Sequence, residues 1–312
     1  MSTNKNRFIQ YELWKDCKNN CAFCFNKNQP DLNKVASLLF VTQKMQEPEV
    51  DENNEIGFIG GEFFDGQLCE PRVKQLFYNL FDICAEKVKA NKINKIYITT
   101  SLLFDANIDL IPFLNYLQKI GILKYTLLCT SYDLKYRFHT KDRLKLWEAN
   151  MVLLNKIYPE LKLHSEIILT KFFIDAVLKD EFSITDFSKK FNTSIDYIEP
   201  ASGFYYRDKQ DMQKHIPDFF PTKQEFVKFL KKTAIENKEI ELYKFLSMEI
   251  RSNTVYCYLN NQLIYLSDRR KNNEGFIKAK ETSNIKYEIG MIDSEEKMRD
   301  VVIQLLNTLG ED

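Results

Sequence analysis

Net charge is what this chain most plainly lacks. Its 44 Lys and Arg balance 44 Asp and Glu. That excludes a global electrostatic pull toward nucleic acid and leaves only a local basic patch open. No stretch approaches the roughly 18 apolar residues that a membrane-spanning helix needs. The polar opening MSTNKNRF has no apolar signal-peptide core behind it. The expectation is a soluble, cytoplasmic protein with no membrane partner. A Walker motif, a dinucleotide-binding motif and a nucleophile–base constellation for hydrolysis are all missing, as are internal repeats and low-complexity segments. Cysteine is sparse too, at seven in 312 residues. Yet Cys17, Cys21 and Cys24 crowd into one polar loop.

Short apolar runs alternate with amphipathic segments through the first two thirds of the chain. Strands are expected at Phe8–Trp14, Glu55–Gly61, Lys95–Ser101, Lys124–Ser131, Lys162–Thr170 and Ser194–Pro200, several rich in Ile, Tyr and Thr. Between them, Val73, Leu76, Phe77, Leu80, Phe81, Cys84 and Val88 share one helical face, behind Pro71 near the helix start. Leu144, Trp147, Met151, Leu154 and Ile157 make a second such face. Six strand–helix repeats predict a parallel sheet with right-handed crossovers. Too little chain remains for eight strands, so the expected α/β fold is a partial (β/α)6 TIM-type barrel.

The rhythm changes after Glu199–Phe204. Helices are expected around Lys223–Ile235 and Ile240–Ile250, and a hairpin over Thr254–Ser267 turning at Asn260-Asn261. A last helix starts near Asp293, which with Glu296 makes a capping box. Its apolar face is Met298, Val301, Val302, Leu305 and Leu306. The chain divides at 1–203, the barrel core, and 204–312, a smaller α+β extension over the substrate site.

The cysteine spacing is Cys17-x3-Cys21-x2-Cys24, directly after the first strand. Thiolates suit zinc or iron–sulfur clusters. Structural zinc takes four ligands, often as two separated pairs, and electron-carrying clusters also take four thiolates. Here no fourth Cys or His follows nearby. Three thiolates on four irons leave one iron open to another ligand. Spacing alone leaves open a zinc loop or three unrelated thiols.

The same loop, after the first strand of a partial barrel, resembles that of the radical SAM superfamily, and the aromatic Phe23 before the third cysteine fits that pattern. The resemblance implies a [4Fe–4S] cluster ligated by Cys17, Cys21 and Cys24. It also implies S-adenosylmethionine (SAM) on the open iron, reductive cleavage to a 5′-deoxyadenosyl radical, and hydrogen abstraction from a substrate. FIGGEFF supplies a second match: Gly60, Gly61 and Glu62 resemble the family's Gly-Gly-Glu, implied to hold the SAM amino group. Read bottom-up, glycine permits close backbone approach and a carboxylate suits an ammonium. The family usually follows Glu with Pro; here the residue is Phe63. Ser131 and Asp133 resemble a Ser-x-Asp after strand four, implying that Ser131 contacts the SAM ribose or carboxylate. Arg137 and His139 follow at related spacings. Thr99–Ser101, Thr170 and Tyr197–Pro200 occupy other strand ends, where loop residues are equally ordinary.

Cys84 and Cys129 read as core packing and His164 as a satisfied structural histidine. Cys69, Cys257 and His215 are isolated, and Asp268–Lys280 is a locally basic stretch. The last third resembles the frame of a SPASM-type domain without its cysteines. That frame motivates a peptide or protein side chain as substrate; the absence of any peptide-recognition module motivates a nucleotide or other small molecule. Tyr205, Tyr206 and Arg207 are candidate substrate contacts, while no residue is assigned as a catalytic acid or base. The implied partner is an external one-electron donor such as flavodoxin or ferredoxin. A non-catalytic zinc- or iron–sulfur-binding interaction protein is the competing class.

Overall fold

A computed structural model of the protein describes residues 8–19, 21, 24, 32–47, 55–198, 220–241, 255–259, 262–265 and 295–309. The order of elements is β1 (Phe8–Glu12), α1 (Lys34–Gln46), β2 (Glu55–Ile59), α2 (Pro71–Lys89), β3 (Lys95–Thr99), α3 (Leu110–Lys119), β4 (Thr126–Tyr132), α4 (Lys141–Ile157), β5 (Lys162–Ile168), α5 (Lys171–Leu178), α6 (Ile184–Phe191) and β6 (Thr193–Ile198). Then come α7 (Lys223–Leu230), the hairpin β7 (Val255–Leu259) and β8 (Gln262–Tyr265), and α8 (Glu295–Leu309).

The sheet order is β6-β5-β4-β3-β2-β1-β7-β8. Strands β1 to β6 are all parallel and lie in sequence order. Right-handed crossovers in that order put every connecting helix on one face. Side-chain alternation agrees. Ile56, Phe58, Ile96, Ile98, Leu128, Tyr132, Leu163 and Ile167 are buried on the helix side. There Phe58 meets Phe81 of α2, and Tyr132 meets Trp147 of α4 and Phe187 of α6. The alternate residues Gln10, Glu55, Tyr97, Thr99, Ser131, Glu166 and Asp196 are only half-buried on the other face. That face is largely polar.

The expected hairpin forms, with Leu259 opposite Gln262. It joins the main sheet, β7 lying parallel to β1, so part of the last third extends the same sheet as the first. Several finer expectations change. The fourth strand begins at Thr126, after a tight turn at Leu123–Tyr125. Ile157 and Leu306 point outward at 43% and 37% exposure, ending their apolar stripes one position early. The helix from Lys223 passes into a wider π turn at Lys231–Glu236. Among the described residues, Thr222 and Glu225 form a capping box. Asp293, the division near 203 and the segment beyond Glu241 lie outside the described residues. Among the described residues no helix is long and apolar enough to cross a membrane.

Candidate functional site

The chain leaving β1 stays paired with the chain leaving β2. Leu13 N–H donates to Ile59 O (3.0 Å), Gly61 N–H to Trp14 O (2.6 Å) and Glu62 N–H to Asp16 O (3.0 Å). Both glycines are required by this contact. A Cβ on Gly60 would stand 2.1 Å from Trp14 O, at a φ of +145° that side chains rarely adopt; one on Gly61 would stand 2.1 Å from Asp16 O. The glycine pair therefore admits the backbone that delivers Cys17. The close approach expected of a ligand is here made first by the chain itself. Trp14 Nε1 donates to Glu62 O (3.1 Å), and its ring lies 4.9 Å from that of Phe63. Phe63 is wholly buried, which gives this departure from Pro a packing role.

Glu62 is buried beneath the loop. Its Oε1 accepts from Phe63 N (2.9 Å), Phe64 N (3.1 Å) and Thr100 Oγ1 (2.9 Å), and its Oε2 from Ser101 N (2.6 Å). Thr100 and Ser101 thus bind the end of β3 to the turn after β2. Desolvation raises the Glu62 pKa, and these donors oppose the rise.

The cysteine loop lies at the C-terminal edge of the sheet. Cys24 N–H donates to Cys21 O at 3.3 Å, closing a turn. Burial, and then the charges of Glu62, Cys21 and Cys24, push the Cys17 thiol up to about 11, against a hydrogen bond to Asn19 O. Glu62, Cys21 and Cys24 thus each act on Cys17 through their charge. Among the described residues, no cation acts on Cys17 to favour its thiolate. Among the described residues, no group of three or more His, Cys, Asp or Glu converges in metal-holding geometry. Phe23 lies outside the described residues.

At the end of β4, Ser131 Oγ accepts from Arg137 Nη1. Arg137 is only 6% exposed, its Nε is buried without a partner, and no carboxylate lies within ion-pair distance of it among the described residues. The nearby carboxylate of Asp133 is engaged elsewhere: its Oδ2 accepts from the N–H groups of Lys135 (3.1 Å), Tyr136 and Arg137 (3.0 Å). Desolvation raises its pKa against those bonds. Thr170 caps α5 by accepting from Phe173 N (3.2 Å), a structural use. His139 is exposed.

Two residues missed in the sequence belong to this edge. Asn19 Nδ2 donates to Ser101 Oγ (2.9 Å), and Asn19 Oδ1 accepts from Arg143 Nη2. No motif marks either residue. His164 is satisfied as expected, by Ser194 Oγ at 2.8 Å and Asp196 Oδ2 at 3.3 Å. Cys84 is buried in α2 and Cys129 on β4; Cys69 is exposed. Tyr205, Tyr206, Arg207, His215, Asp268–Lys280 and the Cys257 side chain lie outside the described residues, as do Glu199 and Pro200.

The fold and edge define a parallel α/β protein with a three-cysteine loop at the C-terminal ends of its strands. No protein-family model and no curated protein matches the chain. Among solved structures, the crystal structure of SuiB from Streptococcus suis is similar over 82% of this chain and 58% of that chain, at 17% identity and a TM-score of 0.44. The match thus spans well under two thirds of SuiB's length, and at that level the likeness assigns no function.

Proposed function

We propose that the protein is a radical SAM enzyme on a partial (β/α)6 barrel, with Cys17, Cys21 and Cys24 holding a [4Fe–4S] cluster. The observation that carries the reading is the junction of β1 and β2. There the Gly60-Gly61 turn receives the backbone leading to a three-thiol loop, above a buried carboxylate.

The donor set fits the group. Three soft thiols suit iron, and a bound metal cation would offset the burial that raises the Cys17 pKa. The buried Arg137 guanidinium, with Ser131, suits the carboxylate of SAM, because its Nε is buried without a partner among the described residues and such a buried donor is costly. Glu62 already accepts four hydrogen bonds, about the ordinary capacity of a carboxylate. What it offers the SAM ammonium is therefore its charge. When bound, the cluster and SAM supply reductive C–S bond cleavage and hydrogen abstraction from a substrate.

The chain's own part is to bind and orient. Gly60 and Gly61 register the loop, Arg137 and Ser131 orient the anionic end of SAM, and the aromatic layer of Trp14, Phe63 and Phe77 excludes water from below. The polar face of the sheet is the wall a substrate meets, whether a peptide or protein side chain or a nucleotide or other small molecule. A flavodoxin or ferredoxin supplies the electron.

Anaerobic reconstitution tests this. About four irons and four sulfides per chain are expected, against one zinc for a structural metal loop. With reductant and SAM, mass spectrometry should find 5′-deoxyadenosine, and Cys21→Ala should abolish both. Protein that stays colourless and iron-free after reconstitution refutes the assignment.

A further inference from the structure

The cysteine loop is tied down on three sides. Backbone bonds to Gly61 and Glu62 hold its base. Asp16 meets Lys34 of α1 at 2.8 Å, and Lys18 meets Asp65 at 3.3 Å. The third tie is Asn19, and it is the one that reaches farthest. Its amide stands between Arg143, at the start of α4 and 124 residues away in sequence, and Ser101, at the end of β3 and 82 residues away.

The polarity of this tie is unambiguous. A guanidinium only donates, so the amide oxygen must face Arg143 and the amide nitrogen must donate to Ser101 Oγ. Ser101 in turn donates its backbone N–H to Glu62 Oε2 at 2.6 Å. The backbone carbonyl of Asn19 faces Cys17 Sγ at 3.9 Å. One side chain therefore joins the thiol loop, α4, β3 and the buried carboxylate. Among the described residues, Arg143 Nε is buried without a partner, so the guanidinium is invested in Asn19 and not in an acid.

We infer that Asn19 is a positioning residue, locking the Cys17–Cys24 loop to Arg143 and Ser101 and so setting how firmly its thiolates hold an iron–sulfur cluster. This rests on the cluster reading above. Groups that fix a ligand's orientation from behind typically change metal retention on the order of ten- to a hundredfold. Aspartate could not replace Asn19: it would keep the bond from Arg143, lose the donor to Ser101, and set a second negative charge beside Cys17.

The test is cluster release from anaerobically reconstituted protein, followed as loss of visible absorbance in excess ferrous-iron chelator. Electron paramagnetic resonance spectra of the reduced cluster accompany it. Asn19→Ala and Arg143→Ala should each release the cluster about ten- to a hundredfold faster than wild type and shift the spectrum alike. Arg143 lies on α4, outside the loop sequence, so Arg143→Ala tests the tie even where Asn19→Ala folds poorly. Arg143→Lys, which can still donate to Asn19, should restore much of the retention. The double variant should be no faster than Asn19→Ala, which already cuts the bond from Arg143 together with the one to Ser101. Should wild type hold its cluster while both alanine variants hold it as long, or should the two effects multiply, the inference is overturned. Should wild type take up no iron, the cluster reading itself falls, and this inference with it.

Discussion

Substituting Gly61 by alanine places a methyl group 2.1 Å from Asp16 O and 2.7 Å from the carbonyl carbons of Lys15 and Asp16. These are backbone atoms, so no side chain can swing aside. Restoring ordinary contact near 3.4 Å moves the Lys15–Asp16 backbone by about 1.3 Å. The bonds from Gly61 N–H to Trp14 O and from Glu62 N–H to Asp16 O would then break. Each contributes about 1 kcal/mol, and some buried packing of Trp14 is lost with them, for a total of about 2–4 kcal/mol. At about 2–4 °C per kcal/mol in a chain of this size class, melting should fall by about 5–15 °C. The same shift moves Cys17, so iron per chain after anaerobic reconstitution should fall with it. Gly121→Ala is the control: its φ of +81° makes alanine strained, but a Cβ there meets nothing within 4 Å. Its cost should stay near 1 kcal/mol, with iron binding unchanged. The reasoning is refuted if Gly61→Ala melts within about 2 °C of Gly121→Ala and takes up as much iron.

Phe63→Pro, which installs the residue the resemblance expects, should destabilise by at least about 3 kcal/mol. It empties the space beside Trp14 and deletes the N–H that Glu62 accepts at 2.9 Å; chemical denaturation measures this, and a neutral result refutes the packing role. Arg137→Ala should weaken SAM binding to the reconstituted protein by about 1.5–3 kcal/mol, roughly ten- to a hundredfold, read by calorimetry in an anaerobic cell; unchanged affinity removes Arg137 from the site. The raised pKa of Asp133 gives a pH dependence with a definite sign. Between the ordinary carboxylate value and the raised one the folded state binds the extra proton, so stability falls as pH rises through that window. Asp133→Asn should flatten the fall, seen as urea midpoints that no longer decline with pH; an identical slope shows that another group is responsible.

Much of the scaffold was legible in the sequence because it rests on local patterns. Alternating apolar strands and one-sided helices predicted six parallel strands with their crossovers. Strand-like runs on both sides of Asn260-Asn261 predicted the hairpin, whose strands pair up to Leu259 and Gln262. The three cysteines were visible because their spacing is local. Edges of stripes were less legible: Ile157 and Leu306 fit the helical period, yet both side chains stay exposed. Thr170 looked like a strand-end site residue, yet the next element turned it into a helix cap.

What the sequence alone determined is which residue types gather at strand ends, since that follows from periodicity and spacing within a few tens of residues. Which partner each one meets was decided only by the tertiary structure. The carbonyls of Trp14 and Asp16 came to need Gly60 and Gly61 because β1 and β2 continue their pairing past the last strand residue. Arg143 reached Asn19, and Ser101 reached both Asn19 and Glu62, only because parallel strands bring their C-terminal ends to one edge. Such contacts have no period along the chain, so they exist for a reader only once the sheet has closed the distance between them.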